Sequence, residues 1–182
     1  MAITTTNSFA EMVPSQVTTL ARGGASFTRN FCATRGEVEV SEGVKSPAIS
    51  VEASIVTAAI GTQPHFWAIR ASITIFHEPS KTFVTVQDAL HDLPQIPEQL
   101  KGIVHEDFFW RYRDALTQSS PSAHIHQIVD SLAERALHLA IAVNSVRMTK
   151  EETEQALDTD VHRGLGSIQR EIEASLRRTI PL

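Results

Sequence analysis

The sequence contains very little cysteine and no long apolar run. Cys32 is the one cysteine of 182 residues, so no internal disulfide can form and a reducing compartment is the simplest location. We expect its side chain to be a small buried hydrophobic group. The longest apolar segment, "ALHLAIAV", includes His138 and falls well short of the roughly 18 residues that a membrane-spanning helix needs. We therefore expect no association with a membrane.

Sequence motifs for common chemistries are also missing. The chain has no glycine-rich phosphate loop, no GxSxG nucleophile turn and no CxxC pair. The segment that begins at His105 resembles the zinc-protease motif HExxH, but Phe109 stands where the second histidine is required. We therefore predict no catalytic residues and no cofactor.

The charge of the chain is unevenly distributed. The net charge is −5, yet residues 1–35 carry Arg22, Arg29 and Arg35 against Glu11 alone, so the remaining 147 residues carry a net charge of −7. A general nucleic-acid binder normally has a basic face that survives competition by salt. The charge distribution therefore disfavours general nucleic-acid binding but allows a local basic patch. The opening residues lack the basic and apolar regions of a secretory signal, and we expect residues 1–26 to form an extended N-terminal arm.

Residues 27–86 have the alternating pattern of β-strands. In the segments "AISVEASI" and "HFWAIRASITIF", apolar side chains recur at every second position, which places one row inward and the other outward. The phase of the first pattern shifts near Ile55, where we expect a β-bulge or burial of both faces. Short breaks rich in turn residues separate the strands, and such breaks connect antiparallel neighbours. The segment is predicted to be an antiparallel meander of four to five strands.

The pattern changes to that of helices after Val86. We predict three to four helices over about 87–180, including one that begins near Ser120 and one that begins with a capping box of Thr149 and Glu152. The predicted fold is α+β, with a single domain over 27–182 that comprises a sheet (27–86) and a helical half (87–182). In the last helix Gly164 and Gly166 predict either a break or the close approach of another backbone.

Three histidines in the segment 119–143 raise the question of a metal site. Successive residues of a helix turn by about 100°, so His124 and His126 point in divergent directions and cannot bind one ion together. His138 lies on the polar side of the same helix, where it can pair with Glu134. We predict no metal site. The remaining alternative is a site at which His124 lies in an unwound first turn and meets His105 and Glu106.

An aromatic and basic cluster follows His105. This cluster can form a subunit interface or a buried core, or it can stack on nucleobases and pair with phosphates. Neighbouring acidic residues favour the first interpretation. The cluster consists of Phe109, Trp110, Arg111, Tyr112 and Arg113.

These observations favour a structural protein over an enzyme. We predict a non-enzymatic homo-oligomer, with the coat or shell subunit of a virus-like particle as the sharpest form. Its partner is then a second copy of itself, with nucleic acid added if the shell packages it. The expected location is the cytoplasm, or the virion for a coat subunit. The first alternative is a chaperone-like module that holds a peptide or apolar ligand between sheet and helices, and the second is an enzyme with a dispersed site.

Overall fold

A computed structural model describes the backbone of residues 8–9, 16–20, 24–59, 66–91 and 119–179, and the side chains of residues 28–55, 69–90 and 123–174. Within these ranges the chain forms six strands followed by two helices. They are β1 (Ser8–Phe9), β2 (Gln16–Leu20), β3 (Gly24–Ser41), β4 (Val44–Ala59), β5 (Phe66–His77), β6 (Thr82–His91), α1 (Ser119–Val146) and α2 (Lys150–Thr179).

The sheet is an antiparallel meander with both helices on one of its faces. β3, β4, β5 and β6 pair in chain order, and β1 and β2 both pair with the other edge of β3. α1 lies over β3, β4 and β5, whereas α2 lies over β5 and β6. The predicted α+β class and antiparallel meander are confirmed. β1 and β2 fall within the predicted arm and pair with β3 of the same chain, and the domain boundary at residue 26 stays a prediction.

The boundary between sheet and helices was predicted wrongly. β6 continues to His91, so residues 87–91 belong to a strand and not to a helix. Val84, Val86 and Leu90 maintain the alternation of a strand, but Asp88 occupies the third of the four positions in this row, so the row does not read as apolar in the sequence. The described residues contain two helices instead of three to four, and the further helix that the sequence pattern of residues 96–118 predicts lies outside them.

Of the two alternatives expected near Ile55, the β-bulge is absent from the described strands, and burial of both faces concerns side chains after Ile55 that lie outside the described ones. The pairing of β4 with β3 and with β5 continues through Ile55 without a shift, and the irregularity lies between Glu39 and Ser41 instead. The pairing register alone therefore does not explain the phase change of the sequence at Ile55.

One row of side chains on each strand forms the core beneath the helices. Cross-strand partners project to the same face of a sheet, so the register brings four rows together on the helix side. The apolar members in the centre of the four rows are between 0 and 3% exposed: Phe31, Ala33, Ile49, Val51, Ala53, Ile55, Ile69, Ala71, Ile73, Ile75 and Val84. Full burial of one isoleucine is worth about 1.5–3 kcal/mol, so this row supplies much of the stability of the fold.

Gly36 changes which side of β3 is buried. Its φ of 64° lies in the left-handed region that glycine adopts without strain. Before this residue Ala33 and Arg35 are buried, whereas after it Val38 is buried and Glu39 is exposed. The buried side of β3 therefore changes at Gly36. The end of the β3–β4 hairpin extends beyond the part of β4 that pairs with β5.

The helical period of residues 119–146 predicts an apolar stripe on α1, and most of its members are buried or half-buried: Ile125, Ile128, Val129, Leu132, Ala136, Leu139, Ala140 and Val143. Val146 belongs to the same predicted stripe but is 68% exposed, while Ala133 and Leu137 lie outside the stripe and are buried. The spacing of apolar residues on α2 predicts a seam of Leu157, Val161, Leu165, Ile168, Ile172 and Leu176. The first five are buried, and the side chain of Leu176 lies outside the described residues.

A tight turn joins α1 to α2 and makes them antiparallel. Arg147, directly after the end of α1, has a φ of 53°, and the N–H of Met148 donates to the carbonyl of Val143 at 3.2 Å, which is the Schellman arrangement. The predicted capping box is confirmed, because the N–H of Thr149 donates to Glu152 Oε2 at 2.9 Å and the N–H of Glu152 donates to Thr149 Oγ1 at 3.2 Å. The turn is also attached to the sheet, since Nε2 of buried His77 donates to the carbonyl of Met148 at 2.8 Å.

Gly164 packs against Leu132 of α1, and α2 is not broken there. A Cβ atom at this position would lie 2.6 Å from Cδ1 of Leu132 on α1, well inside van der Waals contact. A Cβ at Gly166 would lie 3.7 Å from the Arg170 guanidinium, an ordinary contact. The predicted close approach is thus found at Gly164, although a leucine side chain and not a backbone makes it.

The two glycines should therefore respond differently to alanine. We expect Gly166→Ala to raise the free energy of unfolding by about 0.5–1 kcal/mol, because alanine is the better helix former and has space there. The free energy of unfolding of Gly164→Ala should be lower than that of Gly166→Ala by about 1 kcal/mol or more, because Leu132 must move within a packed core. Urea unfolding of both variants measures the difference, and equal stabilisation by the two substitutions would contradict the close approach.

Candidate functional site

The outer face of the sheet is uncovered within the described residues and carries mostly small polar side chains. Alternation places them opposite the core rows, and each is exposed or half-buried. The face is concave, and side chains from β3, β4, β5 and β6 line a concavity of about 850 Å³. Its outward members are Asn30, Cys32, Glu52, Ser54, Arg70, Ser72, Gln87 and Ala89.

Glu52 and Arg70 are the two charged side chains on the outward rows of this concave face. The register pairs Glu52 with Ser72 and Ser54 with Arg70, so Glu52 and Arg70 are diagonal neighbours on adjacent strands. Both are exposed, and neither forms an ion pair with another residue of the described ranges. Diagonal neighbours on a sheet lie within reach of long side chains. The face therefore offers one unneutralised charge of each sign.

Cys32 lies on the same face and is half-buried. Burial, followed by the negative charge of Glu52, raises the pKa of its thiol above the ordinary value. A raised pKa keeps the sulfur protonated near neutral pH, and the thiol is then a poor nucleophile. The predicted burial of Cys32 is found only in part, because the side chain is half-buried on the outer face and does not belong to the core.

Arg35 is the charged residue that the sequence patterns did not reveal. It lies on the helix side of β3 with 3% of its side chain exposed, and its guanidinium contacts two carboxylates of α1. Nη2 donates to Asp130, Nε donates to Glu134 Oε1 at 3.3 Å, and Nη1 donates to the Thr34 carbonyl at 2.8 Å. Burial alone would lower the pKa of Arg35, but the hydrogen bonds and charges of the two carboxylates outweigh it and raise that pKa. Glu134 thus binds Arg35 and not His138, with which the sequence had paired it.

The histidines of α1 diverge as the helical pattern predicts. Nδ1 of His124 lies 2.9 Å from Glu171 Oε1 on α2, and His138 is exposed. No three metal-ligating side chains meet within the ranges whose side chains are described. His105 and Glu106 lie outside those ranges, so the alternative metal site is neither assembled nor excluded. The same holds for the aromatic and basic cluster of Phe109, Trp110, Arg111, Tyr112 and Arg113.

His162 connects α2 to β6. Its Nε2 lies 2.9 Å from Asp88 Oδ2, and its Nδ1 lies 2.9 Å from the backbone carbonyl of Asp158. Both acceptors lack a proton, so only the doubly protonated imidazolium donates to the two of them at once. The hydrogen bond to the Asp158 carbonyl, the Asp158 carboxylate and then Asp88 raise the pKa of His162.

Comparison of the chain with protein-family models, with curated proteins and with solved structures finds no match in any of the three. Neither α1 nor α2 is apolar enough over sufficient length to cross a membrane.

Loss of Arg35 should destabilise the fold more than loss of an exposed arginine. We expect Arg35→Ala to lower the free energy of unfolding by about 2–3 kcal/mol, because it leaves two partly buried carboxylates without a cation and removes a packed side chain. Arg163→Ala is the matched control, since Arg163 is 53% exposed and lies 3.7 Å from Asp160. Arg163→Ala should lower the free energy of unfolding by less than about 1 kcal/mol. Equal costs in urea unfolding would contradict the role of Arg35.

His162 should titrate above the ordinary histidine value of about 6.5. Because its pKa is raised in the folded state, its contribution to stability is complete below about 6.5 and is lost as the pH rises through the folded pKa. NMR titration of the ring of His162 measures this pKa directly. Asp88→Asn and Asp158→Asn should each lower the pKa of His162, and a pKa of His162 at or below the ordinary histidine value would contradict the assigned contacts.

Proposed function

We propose that this chain is a non-enzymatic assembly protein that forms a homo-oligomer through the uncovered outer face of its sheet. One observation carries the proposal: Glu52 and Arg70 are diagonal neighbours on this face, and these exposed opposite charges form no ion pair with a described residue. An unneutralised pair of this kind is suited to a surface that meets its own copy.

A two-fold axis through the face would neutralise both charges. In a two-fold contact each residue of one copy meets the reciprocal residue of the other. Glu52 would face Arg70 of the partner subunit, and Arg70 would face Glu52 of the partner subunit. Such complementary charges fix the register of an interface and disfavour other arrangements.

The remaining side chains of the face suit a sheet-to-sheet contact. Serine, cysteine and alanine surround the two charged residues, and packed sheets lie about 10 Å apart. The concavity of about 850 Å³ provides space for the long side chains of Glu52 and Arg70 from both copies. Arg29 and Arg35 are buried, at 8% and 3% exposure, so neither contributes a basic group to the outer surface.

A coat or shell subunit is the finer form of the proposal and needs a second contact. A single two-fold contact closes a dimer, whereas a shell requires a further, different interface. The end of the β3–β4 hairpin supplies a candidate, because it extends beyond the pairing with β5 and exposes 44% of Val40 and 51% of Val44. Light scattering together with the ratio of absorbance at 260 and 280 nm separates a dimer, an empty shell and a shell that contains nucleic acid.

The described structure does not favour the two alternatives. The chaperone-like module requires space between sheet and helices, but the side chains that meet there form one closely packed core. No observation within the described residues favours a dispersed enzyme site.

Charge reversal tests the proposed contact. We expect wild-type protein to be oligomeric at micromolar concentration by size-exclusion chromatography with light scattering. Glu52→Arg or Arg70→Glu should weaken self-association by about tenfold or more, because each places like charges opposite one another. The double variant that carries both substitutions should regain association.

Glu154→Arg is the matched control, since Glu154 is exposed on α2, on the opposite side of the sheet from the proposed contact and away from the β3–β4 hairpin. A monomeric wild-type protein would overturn the proposed function. An oligomer that neither reversal weakens would assign the contact to another surface.

A further inference from the structure

β6 presents an open edge to solvent within the described part of the chain. One side of this strand pairs with β5 over all ten residues from Thr82 to His91, and no described strand pairs with its other side. The opposite edge of the sheet is different, because β1 and β2 pair with β3 there. Exposed edges are commonly protected by proline, by lysine or by a bulge, and β6 has none of the three.

One side of α2 stands beside this edge and is acidic. Gly164 and Asp160 point toward α1, whereas His162 points toward β6, and these contacts fix the rotation of the helix. With 100° per residue, six further residues of the range 123–174 lie within about 40° of the direction of His162. They are Glu151, Gln155, Asp158, Gly166, Gln169 and Glu173, which are exposed or half-buried. We call Glu151, Asp158 and Glu173 the acidic flank.

We propose that β6 accepts an extended basic segment of another polypeptide as an added strand. The open N–H and C=O groups of β6 would bind the backbone of this segment, as in other cases of strand addition. Alternate side chains of an added strand would project to the helix side, beside α2. His162 is one cation among the four carboxylates of Asp88, Glu151, Asp158 and Glu173, so this side keeps an excess of negative charge. Lysine or arginine at these positions of the added strand meets that excess, so complementary charge selects the partner.

A second copy of this chain is a poorer occupant of the same edge. Strand spacing is about 4.8 Å, so antiparallel pairing of two β6 strands would bring two α2 helices to about 10 Å from each other. The acidic flank of one copy would then face the acidic flank of the other, and like charges at such a distance repel. This edge is distinct from the outer face, so the inference is independent of the proposed homo-oligomer.

The probe is a labelled ten-residue peptide in which lysine alternates with threonine and valine, compared with a peptide in which glutamate replaces lysine. Fluorescence anisotropy should show binding of the lysine peptide alone, and addition of this peptide should slow hydrogen exchange in residues 82–91. Asp158→Lys should weaken binding by about fivefold or more, because it reverses a charge of the acidic flank. Glu42→Lys, the control, should change it less than about twofold, as expected for a screened and distant charge.

Three outcomes would overturn the proposal. The first is equal weakening by the two substitutions, and the second is binding without slower exchange in residues 82–91, since both indicate diffuse attraction to an acidic protein. The third is slow exchange of residues 82–91 that depends on protein concentration without peptide, which would assign the edge to a second copy. None of these outcomes depends on whether the outer face forms a homo-oligomer.

Discussion

The rest of the structure depends on the contact between the isoleucine-rich rows of β4 and β5 and the two helices. Ile49, Ile55, Ile73 and Ile75 are fully buried against Val129, Leu157 and their neighbours. Because strand side chains alternate, this contact also determines what lies on the opposite face. Glu52 lies between Val51 and Ala53, and Arg70 lies between Ile69 and Ala71, so burial of their neighbours directs both charges outward.

Polar residues at the margins of the core position the helices. Arg35 occupies a core row of β3 and is compatible with burial only because Asp130 and Glu134 of α1 reach it. Asp88 occupies the corresponding row of β6 and faces His162 of α2. Apolar contacts tolerate small shifts, whereas charge pairs require particular partners. We infer that these two pairs specify where each helix lies along the sheet.

Local patterns predicted much of the fold, because alternation, capping and helical periodicity are encoded by neighbouring residues. The capping box of Thr149 and Glu152 and the buried seam of α2 are examples. Prediction failed where a residue depends on a distant partner. Asp88 interrupts the apolar row of β6, so the sequence of β6 resembled a helix. Asp88 is accommodated in that row by its contact with His162, which lies more than seventy positions away. The sequence also could not assign Arg35 to Asp130, because 95 residues separate them.

The outer face illustrates the same limit for function. Alternation identified the strands, but the juxtaposition of Glu52 and Arg70 requires the register of β4 with β5, which strand patterns do not specify. The most direct test of a reciprocal contact between copies is to mix Glu52→Arg protein with Arg70→Glu protein. One variant carries two positive groups on the face and the other two negative groups, so native mass spectrometry should detect a stable heterodimer and little of either homodimer. Failure of the mixture to associate more strongly than either variant alone would contradict the proposed assembly surface.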